Sequence, residues 1–451
     1  MKPTPVHICS KCDAQFIKWS GRCESCGAWG SISKEPTLIG SSADQAKEQI
    51  TTAPANIRSF SDLNNKPSAA TIPTGFQALD EILGGGLTPG SVTLIAGEPG
   101  MGKSTLLSQV ALAAGQNGKT IIYVAGEESP AQINLRLKRL SKNITANLKY
   151  IDATDVNAIA TTLEKNHPAF AIIDSVQSIS TEQASGETGS ISQVKASAAI
   201  LTQIAKKTDV PIILVGQVTK EGDMAGPRAL EHLVDTVLSL EGDRLHRYRL
   251  LRAIKHRFGS TDEAALMDMT ENGLQIVQDP SAALITERPL KAPGSAIGCV
   301  LEGRRPLLVE LQALVTPAGY STPTRRATSL DSTRLNMLLA VLTRHAGIAV
   351  YDKDVYANAA GGLGVRDPAA DLALAAAVSS AVKKQPLDSK TAYFGEIGLT
   401  GELRPVALPE LRLKELARMG FTTVVCPKLK KLPVIKNLTI QMCENIGQAL
   451  L

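Results

Sequence analysis

Along residues 91–277, short apolar runs alternate with longer stretches of helical composition. The run at 91–96 is apolar and partly β-branched, which predicts a buried parallel strand, and residues 104–114 behind it have the spacing of a helix. Further strands are predicted at 120–125, 149–152, 170–174, 212–217, 236–240 and 249–255, and residues 264–277 read as a hairpin turning at Glu271-Asn272-Gly273. Strands and helices in alternation predict an α/β fold: a mainly parallel sheet with helices on both faces. Residues 33–70 are polar and breaker-rich, the pattern of a linker with room for one short helix. Beyond a junction at 286–294, segments at 307–315, 334–342, 349–359 and 370–382 begin a second ordered region.

A chain of 451 residues exceeds one ordinary core, and the boundaries are drawn at 1–32, 33–70, 71–285 and 286–451. A hydrophobic content of 43% with only 4% aromatics describes a soluble protein packed with Ala, Val, Leu and Ile. The net charge of +5 permits a nucleic-acid partner without requiring one. No apolar run reaches 18 residues and the N-terminus has no apolar signal segment, so no membrane partner and a reducing cytoplasm are expected.

Gly97-Glu98-Pro99-Gly100-Met101-Gly102-Lys103-Ser104-Thr105 fits the phosphate-binding pattern G-x-x-x-x-G-K-[ST] in full. Its glycines let backbone N–H groups turn towards phosphates at the start of a helix, Lys103 is placed for the β and γ phosphates of ATP, and the Ser104 hydroxyl for Mg²⁺. In such sheets ligands meet the C-terminal ends of strands. There Asp174 closes an apolar run as a second Mg²⁺ ligand, and Glu127 and Glu128 stand where a base orients water. Gln217 is placed to sense the γ-phosphate.

Cys9-x-x-Cys12 and Cys23-x-x-Cys26, ten residues apart, carry the spacing of a structural Zn²⁺ site with four thiolates. His7 is read as solvated. Phe16, Trp19 and Trp29, with Lys11, Lys18 and Arg22, form either a stacking and phosphate-contacting surface or the cover of the metal.

Residues 182–195 and 219–228 lack an apolar period and read as loops; the second carries Lys220 and Arg228, candidates for DNA phosphates. Lys255-His256-Arg257-Phe258-Gly259 places two cations at a strand end, as arginine fingers reaching a neighbouring subunit's ATP are placed.

Together the four cysteines, the Gly97–Thr105 loop, GEES at 126–129, VTKEG at 218–222, AGPRALEH at 225–232 and KHRFG at 255–259 resemble the RadA (Sms) family of bacterial DNA repair proteins over nearly the whole chain. The resemblance implies a RecA-like, DNA-stimulated ATPase assembled as a hexameric ring. It would branch-migrate or unwind recombination intermediates on single-stranded or branched DNA, beside a recombinase and a replicative helicase. It carries Lys103 and Ser104 over as nucleotide-binding, Asp174 as the Mg²⁺ carboxylate and Glu127 as the base, with Lys255 and Arg257 as a signature pair acting in trans. Two positions depart from the family pattern: His256 replaces the usual asparagine, and Gln217 stands where histidine is common.

The last third, with FGEIGLTGELRPV at 394–406, resembles the α/β peptidase domain of Lon proteases. Where that family has P-S-A-G, this chain has Pro368-Ala369-Ala370-Asp371, and alanine has no oxygen for attack. The resemblance therefore implies a retained scaffold and DNA platform, with Arg325 and Arg326 its basic candidates. The competing functions are an ATP-switched DNA-binding scaffold and an ATP-dependent protease.

Overall fold

The computed structural model describes residues 4–12, 14–33, 37–39, 70–217, 227–242, 247–286, 288, 291–319, 322–431 and 433–450. The chain forms two compact units, Met1–Ser68 and Ala69–Leu451. Among the described residues no helix is long and apolar enough to cross a membrane.

In the first unit β1 (Thr4–Ile8) pairs antiparallel with β2 (Gln15–Phe16) and β3 (Thr37–Ile39). Among the described residues its apolar centre is Cys9, Cys23 and Ile32, with Ala14 and Phe16 against them. So small a core cannot fold a module by burial alone.

The second unit opens with β4 (Val92–Gly97), β5 (Ile121–Ala125), β6 (Leu148–Ile151), β7 (Phe170–Asp174) and β8 (Ile212–Gln217). They are followed by β9 (Thr236–Gly242), β10 (Tyr248–His256), β11 (Ala264–Thr270) and β12 (Gly273–Ile276). These make one sheet in the order β12-β11-β10-β9-β4-β8-β7-β5-β6. The strands from β6 to β9 pair in parallel, and β10 to β12 continue antiparallel.

Alternate strand residues enter two cores. Ile95, Tyr123, Ile172 and Val215 join the Lys103–Gln116 helix, while Leu94, Val124, Ile173 and Leu214 pack on the helices Val156–Asn166 and Ile191–Thr208. The predicted strands stand within two residues of their expected limits.

One expectation fails. Residues 182–195 are not all loop, because the Ile191–Thr208 helix begins inside them. In its first turn the polar Gln193 is buried while the apolar Ile191 is exposed: Gln193 donates to the carbonyls of Thr181, Ala184 and Gly186, and Ser190 caps the helix. Burial secured by hydrogen bonds leaves no apolar period to read.

The second sheet runs β15-β16-β14-β13-β17-β20-β21. Its strands are β13 (Ser295–Glu302), β14 (Arg305–Pro317), β15 (Arg325–Thr328), β16 (Lys353–Ala359) and β17 (Thr391–Tyr393), followed across the small hairpin β18 (Glu396–Ile397) and β19 (Leu403–Arg404) by β20 (Thr423–Pro427) and β21 (Thr439–Cys443). Helices Ser332–His345 and Asp371–Lys383 cover one face and Pro409–Arg418 the other. The Pro280–Ile285 helix fastens the two sheets together. Ser281 accepts the Leu308 N–H and donates to Glu415, and Asp279 pairs with Arg418 at 2.7 Å. Beside it Arg252 reaches both Glu241 (2.8 Å) and Glu302 (3.5 Å).

Candidate nucleotide and metal sites

At the end of β4 the chain approaches β9 so closely that a Cβ on Gly97 would lie 2.5 Å from the Leu240 carbonyl oxygen. Only glycine allows that approach. Gly100 (φ 83°) and Gly102 (φ 97°) then turn the loop through left-handed backbone into the Lys103–Gln116 helix. Lys103 is buried, and its Nζ donates to the Gly97 (2.8 Å) and Glu98 (2.9 Å) carbonyls, drawing the loop into a ring. Pro99, Gly100, Gly102, Lys103, Ser104 and Thr105 border a cavity of about 1020 Å³. Met101 points away from it into the core.

The opposite wall of the cavity holds the three predicted carboxylates and Gln217. β5 and β7 pair so that Ala125 lies beside Asp174, which brings Glu127 over the end of β7. Glu127 Oε1 accepts from Ser175 Oγ, and Gln217 Nε2 stands 3.3 and 3.4 Å from the two Glu127 oxygens. Asp174 Oδ2 accepts from the Tyr123 hydroxyl at 2.7 Å. Burial, then the neighbouring Asp174 charge, holds the Tyr123 phenol well above its ordinary range, so it stays a donor.

Glu128 is turned aside by Arg136, whose Nη1 lies 2.7 Å from Glu128 Oε1 while its Nε donates to Ser108 at 2.9 Å. Of the two adjacent glutamates, Glu127 is therefore the one held at the strand ends.

Tyr123, Ser175, Arg136 and the cavity-lining Arg249 and Met269 were not singled out from the sequence. A hydroxyl inside the apolar run IIYVA was the available signal for Tyr123. Arg136 reads as one more cation on a polar helix face.

Lys255 and Arg257 are not brought to this cavity. β10 runs antiparallel to β9, so its last residues lie level with Val237 and Thr236, at the rim opposite the phosphate loop. There Lys255 Nζ donates to the Glu231 (2.5 Å) and Val234 (2.8 Å) carbonyls, and burial, then Arg257, lowers its pKa. Arg257 pairs with Asp235 at 3.2 Å, whose other oxygen accepts the Val92 N–H. His256, in the signature position, meets Thr236 through Nδ1 at 2.9 Å.

Lys220 falls outside the described residues, and so does the side chain of Arg228, whose backbone starts a short helix at Pro227–Leu230. Arg325 and Arg326 lie on β15, where register sets Arg326 beside Tyr356 and Tyr356 beside Leu314, all three exposed on one sheet face. Ala369 is fully buried, its N–H capped by Asp367.

In the first unit the ligand atoms of Cys9, Cys12, Cys23 and Cys26 all lie within 4.8 Å of one another. The Cys9–Cys26 and Cys12–Cys23 sulfurs are 3.8 and 3.5 Å apart. A tetrahedron with Zn–S bonds of about 2.3 Å has S···S edges of about 3.8 Å, so the thiols fit zinc. His7, expected outside the ligand set, is not part of this cluster; it is half-buried, with Nδ1 2.8 Å from the Ser33 carbonyl. Trp19 and Trp29 remain largely exposed, with the Arg22 guanidinium 5.9 Å from the Trp29 ring centre, whereas Phe16 joins the core.

Replacing Cys9 with alanine is expected to release zinc and unfold this unit while ATP hydrolysis without DNA stays within about twofold of wild type. Zinc release and a steady-state assay check it. Loss of DNA-free hydrolysis would contradict the separation of the two units.

Residues 72–281 match the family model "ATPase: KaiC", residues 7–34 the rubredoxin metal binding domain, and residues 349–450 the Lon protease (S16) C-terminal proteolytic domain. The chain is 44% identical over 449 residues to the DNA repair protein RadA of Aquifex aeolicus, covering 100% of this chain and 99% of the relative. It is 43% identical to RadA of Pseudomonas aeruginosa (94% and 93% covered) and 40% identical to RadA of Bacillus subtilis (93% and 92% covered). The chain belongs to the RadA family. As in the expected RadA architecture, a RecA-like ATPase domain stands between a four-cysteine zinc ribbon and a Lon-type domain.

Proposed function

We propose that this RadA-family chain is a DNA-dependent ATPase of DNA break repair, a motor that branch-migrates or unwinds recombination intermediates. The observation carrying the reading is the contact of Gln217 and Ser175 with Glu127. It couples the groups facing the nucleotide to the end of β8, after which the chain enters the segment bearing Lys220 and Arg228.

In this reading the phosphates of ATP enter the ring of the Gly97–Thr105 loop, and Lys103 exchanges loop carbonyls for β- and γ-phosphate oxygens. Ser104 and Asp174, which both border the cavity, hold Mg²⁺. When bound, that ion neutralises charge developing on the phosphates. Glu127 orients the attacking water and accepts its proton, and Gln217 passes the change at the γ-phosphate to the segment that follows it in the chain. Lys255 and Arg257 act in trans on the ATP of the next subunit in a hexameric ring, a reading supported by their place on the rim away from their own cavity. Lys220, Arg228, Arg325 and Arg326 contact single-stranded or branched DNA. The recombinase and a replicative helicase are the partners, and the compartment is the cytoplasm. A peptidase function finds no support, since Ala369 offers no nucleophile.

Steady-state ATP hydrolysis with and without single-stranded DNA tests the reading. DNA is expected to raise the rate several-fold, with an effect that collapses as salt rises from about 50 to 200 mM. A rate indifferent to DNA would remove the motor.

A further inference from the structure

We propose that Tyr123 is a positioning residue for the carboxylate of Asp174, and that Arg136 holds Tyr123 to it. The strength with which the site takes a divalent cation is then set by a hydroxyl that does not itself border the cavity. This rests on the reading of Asp174 as the cation-holding carboxylate.

Tyr123 lies mid-way along β5 and is 2% exposed. Its neighbours in the same core are Ile121, Ala125, Phe170 and Ile172, and packing against them asks only for a ring. The hydroxyl is the part that packing does not explain. A buried hydroxyl must find a partner, and this one finds the cavity carboxylate, donating to Asp174 Oδ2 at 2.7 Å.

Asp174 itself borders the cavity, whereas Tyr123 does not. A carboxylate on its own turns freely between broad, nearly two-fold-related orientations. With Oδ2 anchored to the phenol, that turning stops and Oδ1 is the oxygen left to face the cavity.

The phenol is in turn held. Arg136 Nη2 lies 3.4 Å from the Tyr123 oxygen, and the same guanidinium donates to Glu128 and to Ser108. Ser108 sits on the helix that Lys103 begins. One part-buried arginine, itself bordering the cavity, thus spaces three elements: the phosphate-loop helix, the strand carrying Tyr123, and the turn carrying the two glutamates. Its planar fork suits several fixed acceptors at once, which a lysine ammonium on a flexible stem does not reproduce.

The test is Tyr123→Phe in the full-length, zinc-loaded protein, with methylanthraniloyl-ADP binding followed by fluorescence across a MgCl₂ series and in EDTA. Loss of one charge-assisted hydrogen bond is expected to raise the Mg²⁺ concentration for half-maximal affinity enhancement about fivefold to tenfold, with affinity in EDTA unchanged. An unshifted Mg²⁺ dependence overturns the proposal, and so does an equal loss of affinity in EDTA, which would mean that the hydroxyl merely shapes the pocket. Arg136→Lys provides a second variant should the phenylalanine protein not fold; as Arg136 borders the cavity, it is expected to shift the Mg²⁺ dependence in the same direction with affinity in EDTA unchanged, and no shift, or an equal loss in EDTA, counts against the proposal. Asp174→Asn separates the two layers. If it still shows the full Mg²⁺ enhancement, the reading of Asp174 fails, whatever Tyr123→Phe does.

Discussion

Lys103→Ala is expected to lower nucleotide affinity by about two to four orders of magnitude and with it abolish measurable hydrolysis. Lys103 is buried at the base of the loop, and its ammonium donates to the Gly97 and Glu98 carbonyls. Alanine removes the charge that phosphate oxygens would meet and also leaves those two carbonyls without this donor. A hydrogen bond to a charged group contributes about 1.5–3 kcal/mol, so losing two phosphate contacts amounts to the stated drop. The helix from Lys103 to Gln116 has its own packing through Leu106, Leu107 and Val110, so the fold is expected to survive. Fluorescent nucleotide titration beside circular dichroism checks both halves. Affinity within threefold of wild type would mean that the loop is not the phosphate site.

Glu127→Gln is expected to leave nucleotide binding intact while cutting hydrolysis about 10²- to 10⁴-fold, the usual weight of a general base. The amide is isosteric, so Ser175 and Gln217 keep a neighbour of the same shape at Glu127's position, but nothing there can accept the water proton. The protein should therefore be arrested with ATP bound and still take up DNA. Single-turnover hydrolysis with DNA binding measured in parallel reads this out. A variant that hydrolyses normally would transfer the base role elsewhere, whereas one that is arrested yet still supports repair in cells would favour the nucleotide-switched scaffold over the motor.

The strands and the phosphate loop were legible because they rest on local chemistry. A β-branched run followed by three glycines and Lys103 has few other ways to fold, and Asp174, Glu127 and Gln217 stand at strand ends where polarity interrupts apolar runs. What was not legible depends on pairing across the sheet. Tyr123 looks like an aromatic filler until β5 lies beside β7 and its hydroxyl meets Asp174. Arg136 looks solvated until the turn after β5 brings Glu128 back over it.

Lys255 and Arg257 show the same limit. A strand pattern has no direction, and only the antiparallel pairing of β10 with β9 sets the two cations at the far rim. The 182–195 segment shows it in reverse, since Gln193 is buried by hydrogen bonds rather than by apolar character.

The short helix at Pro280–Ile285 has a mechanical consequence. It leaves the first sheet and lodges against β14 of the second, with Ser281 bonded to both Leu308 and Glu415 and Arg418 clamped on Asp279. Among the described residues the two sheets are thus joined as a stiff lever rather than a pendulum on a string. A tilt of the first sheet would therefore have to be met by the second through these bonds, or break them.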